Sequence, residues 1–194
     1  MTWTTVSMTE DADLMLPPGW WWLRTSDSHR SADIRDTTET IGRDWPSSLR
    51  SDLAGEFDRM TSVAGLAGAV LLAGGSAADD NGQVVTASLM VVPDGEADDA
   101  RSDPTVQEGP VARLELPAGA ATRRMFLGTT DSPLGELVEL EIQYAVAQPV
   151  EPAWLISFRT PAVHHATELL EAFDAIAATL RIHISAEPIA SVFS

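Results

Sequence analysis

Hydrophobic and polar positions change period several times along the chain, and each change marks an element. Residues 137–147 alternate: Val138, Leu140, Ile142, Tyr144 and Val146 fall on one side, opposed by Glu139, Glu141 and Gln143. That period of two predicts a β-strand. Val111–Leu116 repeats it, with Val111, Arg113 and Glu115 against Ala112, Leu114 and Leu116. Apolar runs at 66–74 and 83–92 flank Asp79-Asp80-Asn81-Gly82, and Asn-Gly is a tight-turn signal, so the two runs are expected to pair as a hairpin. Arg123–Gly128, Trp154–Phe158 and the aromatic stretch that follows Pro17-Pro18-Gly19, up to Arg24, add three short strands.

Helical spacing appears three times. Residues 31–41 carry Ile34, Thr38 and Ile41 behind Ser31, a residue suited to capping. Trp45-Pro46 predicts a break, because proline disfavours the α conformation in the residue before it. Pro46 then opens a second helix with Leu49, Leu53, Phe57 and Met60 on one stripe. The most regular pattern is 163–180, where Leu169, Leu170, Phe173, Ile176, Ala177 and Leu180 form an apolar stripe and Glu168, Glu171 and Asp174 lie outside it. Residues 1–15 read as a flexible polar leader, 93–110 as an acidic loop and 185–194 as a tail, around one domain spanning 16–184. The expected fold is α+β: an antiparallel sheet of five to seven strands flanked by the 46–60 and 163–180 helices.

Composition narrows the function classes. The length of 194 residues fits one domain, and about 70% of the surface of an unfolded chain of this size can be buried without a staple. The absence of cysteine removes disulfides, thiol catalysis and zinc ribbons. The apolar stretch Val63–Ala78 is interrupted by four glycines and is too short to span a bilayer. Glu10, Asp11 and Asp13 occupy the place where a signal peptide needs its apolar region, so the chain is expected to stay in the cytoplasm. Aspartate and glutamate total 29 against 12 basic residues, all of them arginine, for a net charge of −17. Such a charge repels phosphate backbones and anionic lipid. The expected partner is therefore another protein, a basic one by preference, with no nucleic acid and no membrane insertion. Nothing in the pattern sets an oligomeric state.

Candidate chemistry is sparse. His164-His165 opens the best helix, but adjacent helical residues point about 100° apart and cannot share one ion as an i, i+4 pair does. His29 and His183 stand alone in sequence. A calcium loop starting at Asp94 would place Asp99 where glycine belongs and Thr105 where glutamate belongs. The chain carries no Gly-x-Ser-x-Gly, Gly-x-Gly-x-x-Gly or Walker motif. No catalytic residue, metal or cofactor is predicted. Two features invite a partner. Trp20-Trp21-Trp22 puts indoles on both faces of a strand, either as core or, at a sheet edge, as a protein contact. Arg123-Arg124, a basic pair in an acidic chain, suits either a partner's carboxylate or an internal ion pair.

The segment Trp154-Leu155-Ile156-Ser157-Phe158-Arg159-Thr160-Pro161, followed after a spacer by Glu168-Leu169-Leu170-Glu171-Ala172-Phe173-Asp174-Ala175-Ile176-Ala177-Ala178-Thr179-Leu180-Arg181, resembles the last strand and helix of PsbP/Mog1-like domains, nearest to their LpqN-type actinobacterial branch. The resemblance implies a central antiparallel sheet with helices on its faces and a mostly non-catalytic, protein-binding role, with no catalytic residue to carry over. The function expected from the sequence is a protein–protein interaction domain: an adaptor, chaperone or immunity-type partner. The alternatives are a small-molecule-binding or hydrolytic domain with a pocket between sheet and helices, and a structural subunit of a larger assembly.

Overall fold

In chain order the elements are β1 (Thr4–Thr9), β2 (Ala12–Leu16), β3 (Trp21–Arg24), α1 (Asp27–Ile41), α2 (Ser47–Leu66), β4 (Leu71–Ala78), β5 (Val84–Val92), β6 (Gln107–Glu108), β7 (Ala112–Leu116), β8 (Gly119–Ser132), β9 (Gly135–Val146), β10 (Trp154–Thr160), α3 (Ala166–Ala177) and β11 (Arg181–Ile182). They come from a computed structural model that describes residues 2–78, 82–93, 106–132, 135–147 and 153–183. Residues 94–105 of the predicted acidic loop, Asp79-Asp80-Asn81 and the predicted tail lie outside the described residues.

The fold is α+β, with three α-helices and two antiparallel sheets. The larger sheet has eight strands in the order β3-β4-β5-β10-β9-β8-β6, with β7 also pairing along β8. The smaller is β1-β2-β11. The eight-strand count exceeds the expected five to seven because the short edge strand β6 forms within the stretch expected as an acidic loop. No helix among the described residues is long and apolar enough to cross a membrane.

Period-two alternation decides which residues share a face. Ile156 pairs with Val91 and Tyr144, and Phe158 with Leu89 and Ile142, so one face of the large sheet is a continuous apolar surface. Against it pack Val6, Met8, Leu14 and Leu16 of the small sheet and Phe173, Ile176, Ala177 and Leu180 from the α3 region. The predicted 163–180 helix thus seals a pleated sheet, although its first turn, Val163–His165, is 3-10. Asp174, expected on the solvent side, accepts hydrogen bonds from Tyr144 Oη at 2.6 Å and Arg123 Nη1 at 2.8 Å. Burial first, and then the bond to Asp174, push the Tyr144 phenol far above its ordinary range.

The opposite face receives the helix pair at one edge. Leu23, Ile34 and Phe57 form a second cluster with Trp21, Leu53, Ala54 and Met60 around them. Buried Asp33 on α1 ties this layer to the sheet: it accepts from Arg24 N at 3.0 Å, Nε at 2.8 Å and Nη2 at 2.8 Å. The Asp33 hydrogen bond raises the Arg24 pKa against the opposing effect of burial.

Two expectations are corrected here. Residues 4–16 are not a flexible leader but a hairpin whose Val6, Met8, Ala12, Leu14 and Leu16 are buried. Glu10 and Asp11 occupy its turn, and Asp13 takes a part-exposed position on β2. The first helix starts at Asp27, after Ser26, and not at Ser31; Ser26 backbone oxygen takes the first amide hydrogen bonds, from His29 and Arg30.

The glycine pair Gly74-Gly75 acquires a reason from register. Trp21 pairs with Gly74 across β3–β4, and a Cβ on Gly74 would collide with the Trp21 indole, while one on Gly75 would collide with Trp20. The two indoles thus occupy the space on opposite faces of β4 that side chains would otherwise fill. Gly74→Ala and Gly75→Ala are each expected to destabilise the fold by about 1–3 kcal/mol through overpacking, with a lowered thermal midpoint and a change in tryptophan fluorescence. Gly55→Ala, where a Cβ meets nothing within 4 Å, is the control and should not destabilise.

Candidate binding cleft

Away from the helix pair, the second face of the large sheet is polar and partly open. Alternation brings Ser76 on β4, Thr86 and Ser88 on β5, Arg159 on β10 and Glu139 on β9 to this side. Ser76, Thr86 and Ser88 are exposed, and Arg159 and Glu139 half-buried. The wall is apolar: Trp21 from β3, Ile41 from the end of α1, and Leu53 and Phe57 from α2. Together they line a cleft of about 610 Å³ between the helices and the sheet. Trp21 and Phe57 meet in this wall, with ring centroids 5.1 Å apart.

Arg159 is positioned from beneath. Its Nη2 lies 3.1 Å from Glu141 Oε2. The buried Glu141 carboxylate also accepts Gln143 Nε2 at 2.8 Å and Ser157 Oγ at 2.9 Å. Gln143 and Ser157 are themselves buried at 5% and 3% exposure, so the carboxylate is fixed by groups with no freedom of their own. The alternation in β9 sets Glu141 and Gln143 opposite its apolar residues, and there they form a buried polar layer.

The residues singled out in the sequence separate into two places. Trp20, Trp21 and Trp22 are all half-buried: Trp20 and Trp22 pack against the main core and Trp21 against the helix-pair cluster. They also line a second, smaller hollow of about 340 Å³ with Asp33, Asp36, Thr37, Thr40 and Ile41. Arg123 and Arg124 point to opposite faces of β8. Arg123 is bound to Asp174; burial works against its charge, but the Asp174 hydrogen bond and charge outweigh it and hold its pKa above the ordinary value. Arg124 lies on the polar-layer side, beside Gln143 in register.

Among the described residues no group of three or more His, Cys, Asp or Glu side chains is placed to hold a metal. The rings of His164 and His165 lie 4.3 Å apart. Ser7, Asp13 and His183 come together on the small sheet, but both Ser7 Oγ (2.6 Å) and His183 Nε2 (3.0 Å) meet the Asp13 carboxylate. The histidine does not touch the hydroxyl, so no nucleophile–base pair is formed there. The Ser7 hydrogen bond first, then His183, lower the Asp13 pKa.

Sequence reasoning missed Arg159, Ser76, Thr86 and Ser88. The available signal was a lone arginine at the end of the apolar run 154–158, facing a strand whose alternate residues are hydroxylated. No family model, curated protein or solved structure matches this chain.

Proposed function

We propose that this protein is a non-catalytic binding protein that receives a segment of another protein in the cleft between the helix pair and the large sheet. The observation that carries the reading is an apolar track that leaves the cleft and continues over the helix pair. Ile41 and Leu53 line the cleft, Leu49 lies one helical turn before Leu53, and Trp45 sits in the connecting turn. Ile41, Trp45 and Leu49 are 38%, 45% and 50% exposed. A run of large apolar side chains left in water beside an open groove is the signature of an interaction site. The resemblance of residues 154–181 to PsbP/Mog1-like domains supports the same reading. So does charge: Arg24, Arg30, Arg35, Arg59, Arg123 and Arg159 are each paired with carboxylates of this chain, which leaves the negative surplus to face a basic partner.

The volume of the cleft falls in the range of small-molecule pockets, roughly 300–1,000 Å³, so an amphipathic small ligand is the second reading. One experiment separates them. A photo-crosslinking residue at Leu49 or Thr86, introduced in cells where the protein is native, is expected to give adducts with a second polypeptide, and the same residue at exposed Arg113 on edge strand β7 is not. No adduct from either position, with a small molecule released on denaturing the purified protein, would favour the second reading.

A further inference from the structure

Taking the cleft as a protein-docking site, we propose that Arg159 captures the free C-terminal carboxylate of the docked segment, whose last side chain is large and apolar. Arg159 is the one cation among the described residues that line the cleft. A guanidinium presents five N–H donors in a fixed plane. Here its charge contact is Nη2 to Glu141 Oε2 at 3.1 Å, with 41% of the side chain exposed. Glu141 is held by Gln143 and Ser157, so it fixes Arg159 from the floor side and leaves the rest of the fork to the cleft.

Register then supplies the geometry. Arg159 pairs with Ser88, Ser88 with Gly74, and Gly74 with Trp21, a straight row across four strands: cation, hydroxyl, bare backbone, indole. Three inter-strand steps separate the Cα atoms of Arg159 and Trp21 by roughly 14 Å. The indole leaning over Gly74 and the length of the arginine side chain shorten that gap to the span of a terminal residue or two. Exposed Ser76 and Thr86, paired with each other beside this row, offer hydroxyls to the preceding peptide groups.

The ligand class follows from what can meet both ends of the row. A planar fork prefers a carboxylate or phosphate. A phosphate's double charge is opposed by Glu139 in the same cleft and by the net charge of −17. A C-terminal residue carries its carboxylate and its side chain on one Cα, so one group reaches Arg159 while the other reaches Trp21, Leu53 and Phe57. An internal aspartate or glutamate spends its side chain on the arginine and has none left for the wall.

The test uses two decapeptide pools, identical except for a free or amidated C-terminus, ending in Leu, Ile, Phe or Trp and random elsewhere. They are passed over the immobilised full chain and the retained peptides are measured by mass spectrometry. Free-acid peptides are expected to be enriched about tenfold or more over their amides, corresponding to one charge-assisted hydrogen-bonded contact. Arg159→Gln should abolish the preference. Arg159→Lys keeps the charge beside Glu141 and should reduce the preference several-fold, which decides the matter if the glutamine variant does not fold. Arg113→Gln should leave the preference unchanged. Equal retention of acids and amides, retention of neither, or a preference that survives Arg159→Gln overturns the assignment. Crosslinked adducts from Leu49 or Thr86 together with indifference to the C-terminus would remove this inference and leave the docking reading standing; loss of both would remove both.

Discussion

Replacing Phe173 by alanine is expected to lower the unfolding free energy by about 3–5 kcal/mol. The side chain is 1% exposed. Its ring stacks on Phe158 with centroids 4.3 Å apart and planes 14° from parallel, and Phe158 meets Tyr144 edge-on at 5.6 Å. Truncation therefore removes both the transfer of a large apolar surface from water and an aromatic contact. Leu14, Ile156 and Ile176 in the same core are fully buried in their own places and cannot collapse into the void at low cost. Urea denaturation should show a lower midpoint with an unchanged slope. Phe173→Leu, which keeps most of the volume, should cost less than about 1.5 kcal/mol. A loss below about 1 kcal/mol for the alanine variant would mean that α3 is not held to the sheet by this contact.

That contact was legible in the sequence, since the spacing of Leu169, Phe173, Ile176 and Leu180 marks the side of α3 and of the residues just after it that packs on the core, without reference to any other element. The strands at 137–147 and 154–158 were legible for the same local reason. What escaped depends on register or on tertiary context. The β1–β2 hairpin alternates as cleanly as β9, but its acidic turn at Glu10-Asp11 made the stretch read as a solvated leader. The stripe Leu49, Leu53, Phe57 and Met60 is continuous in sequence, yet Phe57 is buried, Leu53 and Met60 are half-buried and Leu49 is exposed, and Leu53 lines the open cleft. The tryptophan trio was visible, but its glycine partners lie some fifty residues on and become partners only once β3 pairs with β4. Arg159 sits in an apolar run that reads as core, and only the pairing of β10 with β5 sets it beside Ser88 at the head of a row ending in Trp21.

Glu141→Ala is expected to cost about 3–5 kcal/mol, although its partner Arg159 is partly in water. The exposed arginine can be rehydrated, so little of the loss comes from the ion pair itself. Most comes from Gln143 and Ser157, whose donors are left buried without an acceptor, in a layer where Gln143 Oε1 already has no hydrogen-bond partner. Carrying the change further should reverse it. With Glu141→Leu, Gln143→Leu and Ser157→Ala together, the Gln143 and Ser157 donors go with their acceptor, and apolar packing should restore most of the lost stability, measured against wild type by denaturant midpoint. If that triple variant is as unstable as Glu141→Ala, groups beyond these three depend on the carboxylate. If it regains stability, it becomes the sharper probe of the cleft: the fold is intact, Arg159 is present and charged, but the carboxylate that aims it is gone. A loss of peptide retention in that protein assigns Glu141 a positioning role, whereas unchanged retention shows that the arginine finds its ligand unaided.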